Sequence, residues 1–133
     1  MRNIKFRAWN KKRKRMYEVL HLHLETSVNN GPWASVKGHD IIEGKDIVIQ
    51  VQPNNIELMQ YTGLKDNNGV EIYEGDLFYH PHGKHGGIYN VYFENGNFEP
   101  FNNRSHGIKP NAIEIIGNIH ENKNLLEDEN IDK

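Results

Sequence analysis

The chain has 133 residues, the size of one common domain, and a formal charge of −2 at neutral pH. It has no cysteine, which excludes a disulfide framework, a thiol nucleophile, an iron–sulfur cluster and any Cys-based zinc finger. No stretch approaches the run of about 18 apolar residues that a spanning helix needs, so the expected location is the cytoplasm, with no membrane partner.

Ile4 to Trp9 alternates Ile4, Phe6 and Ala8 with Lys5, Arg7 and Trp9, the pattern of a half-buried strand. Asn10 to Arg15 is a polar turn, and Met16 to Leu24 resumes alternation, with Met16, Leu20, Leu22 and Leu24 on one face and Tyr17, Val19, His21 and His23 on the other. The two segments predict a hairpin with the basic run at its tip. Glu25 to Asp40 has little periodicity and reads as a long loop whose Trp33 packs back onto the body. Ile41 to Val51, with Ile47, Ile49 and Val51 in alternation, is a strand stopped by Pro53, and Ile56 to Tyr61 is a strand or a short helix.

Turn chemistry is densest from Thr62-Gly63 through Asn67-Asn68-Gly69, followed by a brief strand at Glu71 to Tyr73 and a turn at Glu74-Gly75-Asp76. Leu77 to His80, Ile88 to Glu94 and Asn97 to Phe101 read as strands, the last two joined by Asn95-Gly96, the best hairpin signal in the chain. Ala112 to Ile119 is a final strand, and Glu121 to Glu127 offers one or two turns of helix before an acidic tail. Short strands about every eight to twelve residues predict a mainly β fold of antiparallel strands. Residues 1–133 form one domain in this reading. An N-terminal hairpin and long loop fill 1–60, a small SH3-like barrel occupies the core at 61–120, and 121–133 holds the short helix and tail.

Several of these words occur together in one order. They are Ile4-Lys5-Phe6-Arg7-Ala8-Trp9, Met59-Gln60-Tyr61-Thr62-Gly63-Leu64-Lys65-Asp66, Asn68-Gly69, Ile72-Tyr73-Glu74-Gly75-Asp76 and Ile116-Gly117-Asn118-Ile119. In this the sequence resembles the YopX-like family of phage and prophage proteins over nearly its whole length. Departures are small: Lys123 stands where the family often has proline, and the segment around Trp33 falls in a variable region. The resemblance implies a mainly β fold, carriage on a temperate bacteriophage or prophage of a low-GC Gram-positive host, and self-assembly into a homo-oligomer. It implies no reaction and no catalytic residue. Most of the shared residues also have a structural reason to be there, since Thr62, Gly63, Asn68, Gly69, Gly75 and Asp76 suit turns, and Tyr61, Leu64, Ile72 and Tyr73 suit a core.

Three groups of residues could carry function. The first seventeen residues hold eight Lys or Arg and no acid. Within them Lys11, Lys12, Arg13, Lys14 and Arg15 form a patch able to neutralise phosphates, flanked by Trp9 and Tyr17, which could stack on bases. Against nucleic-acid binding stands an overall pI near 6.4, and a charged tip also keeps strand edges soluble. From Glu121 to Lys133 five acids face two lysines, an asymmetry that also suits head-to-tail association. The second group is His80, His82 and His85, spaced to ligate zinc or manganese in a metal-dependent hydrolase or nuclease, although an exposed loop explains them as well. The third is the acidic group of Glu71, Glu74 and Asp76, better explained as a solvated turn. No nucleophile elbow, Walker loop, dinucleotide fingerprint or zincin motif occurs. The expectation is a phage accessory protein, not an enzyme and without a cofactor, that binds itself, nucleic acid, or a phage or host protein.

Overall fold

The computed structural model describes residues 4–25, 33–40, 42–51, 53–80, 87–101 and 107–125. Over these the protein is mainly β and every strand pairing is antiparallel. Two 3₁₀ turns at Pro53–Asn55 and Pro110–Ala112 and a helical turn at 123–125 complete it. No described helix is long and apolar enough to cross a membrane. The chain divides into two compact units, Lys5–Gln60 and a second made of Met1–Ile4 with Tyr61–Lys133.

The first unit is a sheet of β1 (Phe6–Asn10), β2 (Arg15–Glu25), β3 (Trp33–Asp40), β4 (Lys45–Val51) and the first half of β5 (Ile56–Lys65), in the order β4-β3-β2-β1-β5. The hairpin expected at the N-terminus is present, and 56–61 is strand, not helix. The long loop expected at 25–40 is corrected over 33–40, which pairs with β2 on one side and β4 on the other. Over 36–40, where burial is described, its inward positions are Val36, Gly38 and Asp40, so the apolar alternation that announces a strand is missing there from the sequence. A Cβ at Gly38 would lie 3.0 Å from Tyr17 Cβ and 3.2 Å from the Glu18 carbonyl oxygen, so glycine leaves the room that Tyr17 fills.

The alternation expected along β2 also breaks. The register with β3 runs Val19 to Gly38 and then His21 to Lys37, so Leu20 is the extra residue of a bulge. Beyond the bulge the faces exchange. Leu20 is half exposed, while Leu22 joins Tyr17, Ile47, Ile49 and Ile56 in the core of this unit.

In the second unit the end of β5 pairs with β6 (Glu71–Tyr73). β7 (Asp76–His80) lies between β11 (Ile115–Asn118) and β8 (Gly87–Asn90), and β9 (Tyr92–Glu94) pairs with β10 (Asn97–Glu99) as a ribbon. The Asn95-Gly96 hairpin holds, with φ of 53° and 80° at its two central residues. The strand expected over 88–94 is interrupted at Val91, which bonds instead to the Gly75–Asp76 turn through Gly75 N–H to Val91 O (2.8 Å) and Val91 N–H to Asp76 O (2.9 Å). Pro110 turns the start of the expected last strand into a 3₁₀ turn, so β11 begins only at Ile115. Among the described residues these strands form no closed barrel, which corrects the SH3-like expectation to separate small sheets. Their core is Ile72, Phe78, Val91, Ile108 and Ile113, with Tyr89 and Phe101 stacked on Phe78 at 5.6 and 5.9 Å between ring centroids.

Candidate functional site

The basic run sits on the β1–β2 turn, and one buried side chain sets that turn's shape. Asn10 Oδ1 accepts hydrogen bonds from the backbone N–H groups of Lys12 (3.0 Å) and Arg13 (3.1 Å), and the Asn10 carbonyl accepts from Lys14 N–H (2.7 Å). Lys11 N–H donates to Asn55 O at 2.9 Å, fixing the turn against the start of β5. Lys11, Lys12, Arg13 and Lys14 are consequently all exposed on a backbone held at four points. Lys14 adopts the left-handed conformation at φ 54°.

The β3–β4 turn repeats this construction. Asp40 Oδ1 accepts from Ile42 N–H (2.9 Å) and Glu43 N–H (3.0 Å), the Asp40 carbonyl accepts from Gly44 N–H (2.7 Å), and Gly44 is left-handed at φ 70°. Because Tyr17 pairs with Asp40 in the β2–β3 register, the two turns stand at the same end of the sheet. Arg15 reaches across, its Nη1 3.7 Å from Asp40 Oδ1 and its Nη2 3.7 Å from Glu43 Oε1, while Lys45 Nζ lies 3.1 Å from Glu43 Oε2. The Glu43 N–H holds the Asp40 carboxyl below its usual range; burial opposes this, and the Ile42 N–H and the charges of Arg15 and Lys45 add to it.

The expected binding residues therefore separate. Lys11 to Lys14 stay together on the surface, and Arg15 is held by carboxylates. Tyr17 is only 2% exposed, so its ring is core and offers no stacking face. Trp9 is half-buried in β1 between Met16 of β2 and Glu57 of β5. Asp40, Glu43 and Lys45 were not legible as members of this site, since only the pairing of β3 brings them to it.

The histidine group is not assembled over the described residues. His80 ends β7, half-buried, with its ring edge-on to Tyr89 at 6.2 Å, and His82 and His85 lie outside the described residues. Among the described residues no three His, Asp or Glu side chains gather as metal ligands would. In the acidic group, Asp76 Oδ2 accepts from Tyr73 N–H at 2.7 Å and serves its turn.

Asp66 does the same on a larger scale. Its Oδ1 accepts from Asn68 N–H (2.8 Å) and Val70 N–H (2.9 Å), and its Oδ2 accepts from Ile115 N–H (3.0 Å), so one carboxylate shapes the Asn68-Gly69 turn and ties it to β11. Burial raises the Asp66 carboxyl, but the N–H groups of Ile115, Val70 and Asn68 together outweigh it and hold the group below its usual range. Asn118 builds a fourth such turn, its Oδ1 accepting from the N–H groups of His120 (3.0 Å) and Glu121 (2.9 Å).

Among solved structures, the chain is similar to the crystal structure of protein EF1440 from Enterococcus faecalis, with 22% identity and a TM-score of 0.56, covering 95% of this chain and 99% of that one. At that identity the likeness concerns the fold alone. No curated protein matches the chain. The model of the family described as YopX protein matches residues 5–127, nearly the whole sequence and all of the shared words quoted above except Ile4, and the chain belongs to the YopX family.

Proposed function

We propose that this YopX-family protein acts by binding rather than by catalysis, and that its ligand is nucleic acid, held through the phosphate backbone by the β1–β2 turn. The observation that carries this reading is the set of four adjacent cations, Lys11 to Lys14, exposed on a turn that Asn10 and Asn55 hold in place. Cations on a prepared backbone lose little freedom when they meet a polyanion, and each phosphate neutralised releases counterions. The charge is also concentrated: the unit Lys5–Gln60 carries nine Lys or Arg against six acids, whereas the other carries seven against twelve. With Tyr17 in the core and Trp9 half-buried, the tip lacks the stacking platform that single-strand binders use, which favours duplex over single strands. The buried carboxylates Asp40, Asp66 and Asp76 are committed to backbone N–H groups, which supports structural roles for them over acid–base ones. The setting we propose is the cytoplasm of a bacterium carrying a phage or prophage, in keeping with the family resemblance.

The test is the salt dependence of duplex DNA affinity. Replacing Lys11, Lys12, Arg13 and Lys14 by Ser should flatten the slope of log affinity against log salt by about 3 to 4, at roughly 0.9 per cation. An unchanged slope refutes the reading.

One observation favours a second reading, head-to-tail association of copies. In the acidic unit the β9–β10 ribbon exposes Tyr92 and Glu94 on one face and Phe93 on the other, aromatic and acidic groups suited to a cationic tip. Light scattering would then show an oligomer that dissociates with salt and with Phe93→Ser, in the absence of nucleic acid.

A further inference from the structure

Between the two turns of the first unit lies a cleft of about 400 Å³ lined by Arg13, Arg15, Tyr17, Asp40, Glu43 and Lys45. Its two carboxylates have different work. Asp40 is buried and accepts the two N–H groups that make its turn. Glu43 is 45% exposed and lies beside Gly44, and its two oxygens face Arg15 and Lys45 separately. It stands where an anion bridging those two cations would stand.

We propose that this cleft is a phosphate seat, with Arg13, Arg15 and Lys45 as its cations, and that the Glu43 carboxylate is an internal occupant which a backbone phosphate displaces. The proposal rests on the reading that the β1–β2 turn binds nucleic acid, and it adds three residues and a gate to that surface. Guanidinium and ammonium groups bind carboxylate and phosphate through the same charge-assisted hydrogen bonds, so one anion can replace the other without rearranging the cations. The ion pairs at 3.7 and 3.1 Å are solvent-exposed, a class that is weak and readily exchanged. Asp40 stays in place throughout, because releasing it would undo the turn. Ile47 and Val48 also line the cleft and give it an apolar side, which strengthens a charge contact made against it. The seat is continuous with the exposed tip through Arg13, so a strand lying over Lys11 to Lys14 can place a neighbouring phosphate in it.

The experiment measures binding of the full chain to a fluorescent duplex DNA across a salt series. Glu43→Gln should tighten binding about fivefold at low salt, since the phosphate no longer has a carboxylate to displace, and should leave the salt slope close to that of the natural protein, because Arg15 and Lys45 meet the phosphate in both. Glu18→Gln, the same change of net charge at an exposed β2 position paired with Arg7 and His39 and outside the cleft, should leave the low-salt affinity nearly unchanged. Lys45→Ser should lower the slope by about 0.9, alone and in the Glu43→Gln background alike. Equal effects of Glu43→Gln and Glu18→Gln, or no effect of Glu43→Gln, overturn the seat. Loss of binding on replacing Lys11 to Lys14 leaves the parent reading standing in that event, whereas no loss there defeats the parent reading itself.

Discussion

Asp66 concentrates more of the second unit's stability in one side chain than any composition argument indicates. It is 4% exposed and accepts three backbone N–H groups, two inside its own turn and one from Ile115, 49 positions along the chain. Asn68 and Val70 are exposed, so water can reach their N–H groups in a variant, and each of those bonds contributes about 1 kcal/mol; the bond to half-buried Ile115 contributes about 2 kcal/mol. Asp66→Ala should therefore cost about 4 kcal/mol, and Asp66→Asn, which keeps one carbonyl oxygen for the turn but turns an amide towards Ile115, about 2 to 3 kcal/mol. The pH dependence has a definite sign. The carboxyl is held in the folded state below its ordinary value of 3.8, so the unfolded chain binds the extra proton. The contribution of Asp66 is fully present above its unfolded value and is lost as pH falls through the folded one. Urea unfolding followed by circular dichroism, repeated stepwise from neutral pH downwards, should show the gap between the natural protein and Asp66→Asn holding until about pH 4 and then closing. A cost below about 1 kcal/mol for Asp66→Ala, or a gap that persists unchanged through the acid range, refutes the assignment.

Other substitutions test the rest of the framework. Lys14→Gly relieves a left-handed lysine and should raise stability by about 1 kcal/mol while weakening DNA affinity, as read by thermal unfolding and anisotropy on the same sample. Gly38→Val places a side chain against Tyr17 and the Glu18 carbonyl and should cost about 2 kcal/mol or more in urea. Phe78→Ala opens the core where Tyr89 and Phe101 stack, for about 3 to 5 kcal/mol by the same measurement.

The sequence announced a strand wherever both the alternation and the turn residues were local. The β1–β2 hairpin and the Asn95-Gly96 turn are of this kind, and so is the cationic tip, because five charges in a row need no partner to be seen. β3 was hidden because glycine and aspartate occupy two of the three buried positions described in it, one for the space Tyr17 needs and one for its own turn. The Leu20 bulge hid itself, since it leaves the alternation of residue types intact while exchanging the faces. These two omissions account for the rest. With β3 read as loop, nothing places Asp40, Glu43 and Lys45 beside Arg15, and nothing covers Tyr17, so its ring beside the basic run looks like a stacking group. Asn10, Asp40, Asp66 and Asn118 were likewise inconspicuous, because an Asx residue that shapes a turn differs from a solvated one only in where the next N–H groups point.

Comparing the two sister turns separates what the fold requires from what it tolerates. Both need an Asx side chain before the turn and a left-handed residue at its end, and both have them: Asn10 with Lys14, and Asp40 with Gly44. Nothing in that construction selects the intervening side chains, since the N–H groups that Asn10 and Asp40 bind belong to the backbone. The β3–β4 turn fills its last position with glycine, the residue that adopts φ 70° without penalty. The β1–β2 turn fills it with lysine, at a cost of about 1 kcal/mol. A charge placed there for solubility alone could stand at any of the three preceding positions, where the backbone imposes no penalty and cations already stand. On the proposed binding reading the surface uses the charge at this unfavourable position, which makes Lys14→Gly the variant in which stability and binding should move in opposite directions.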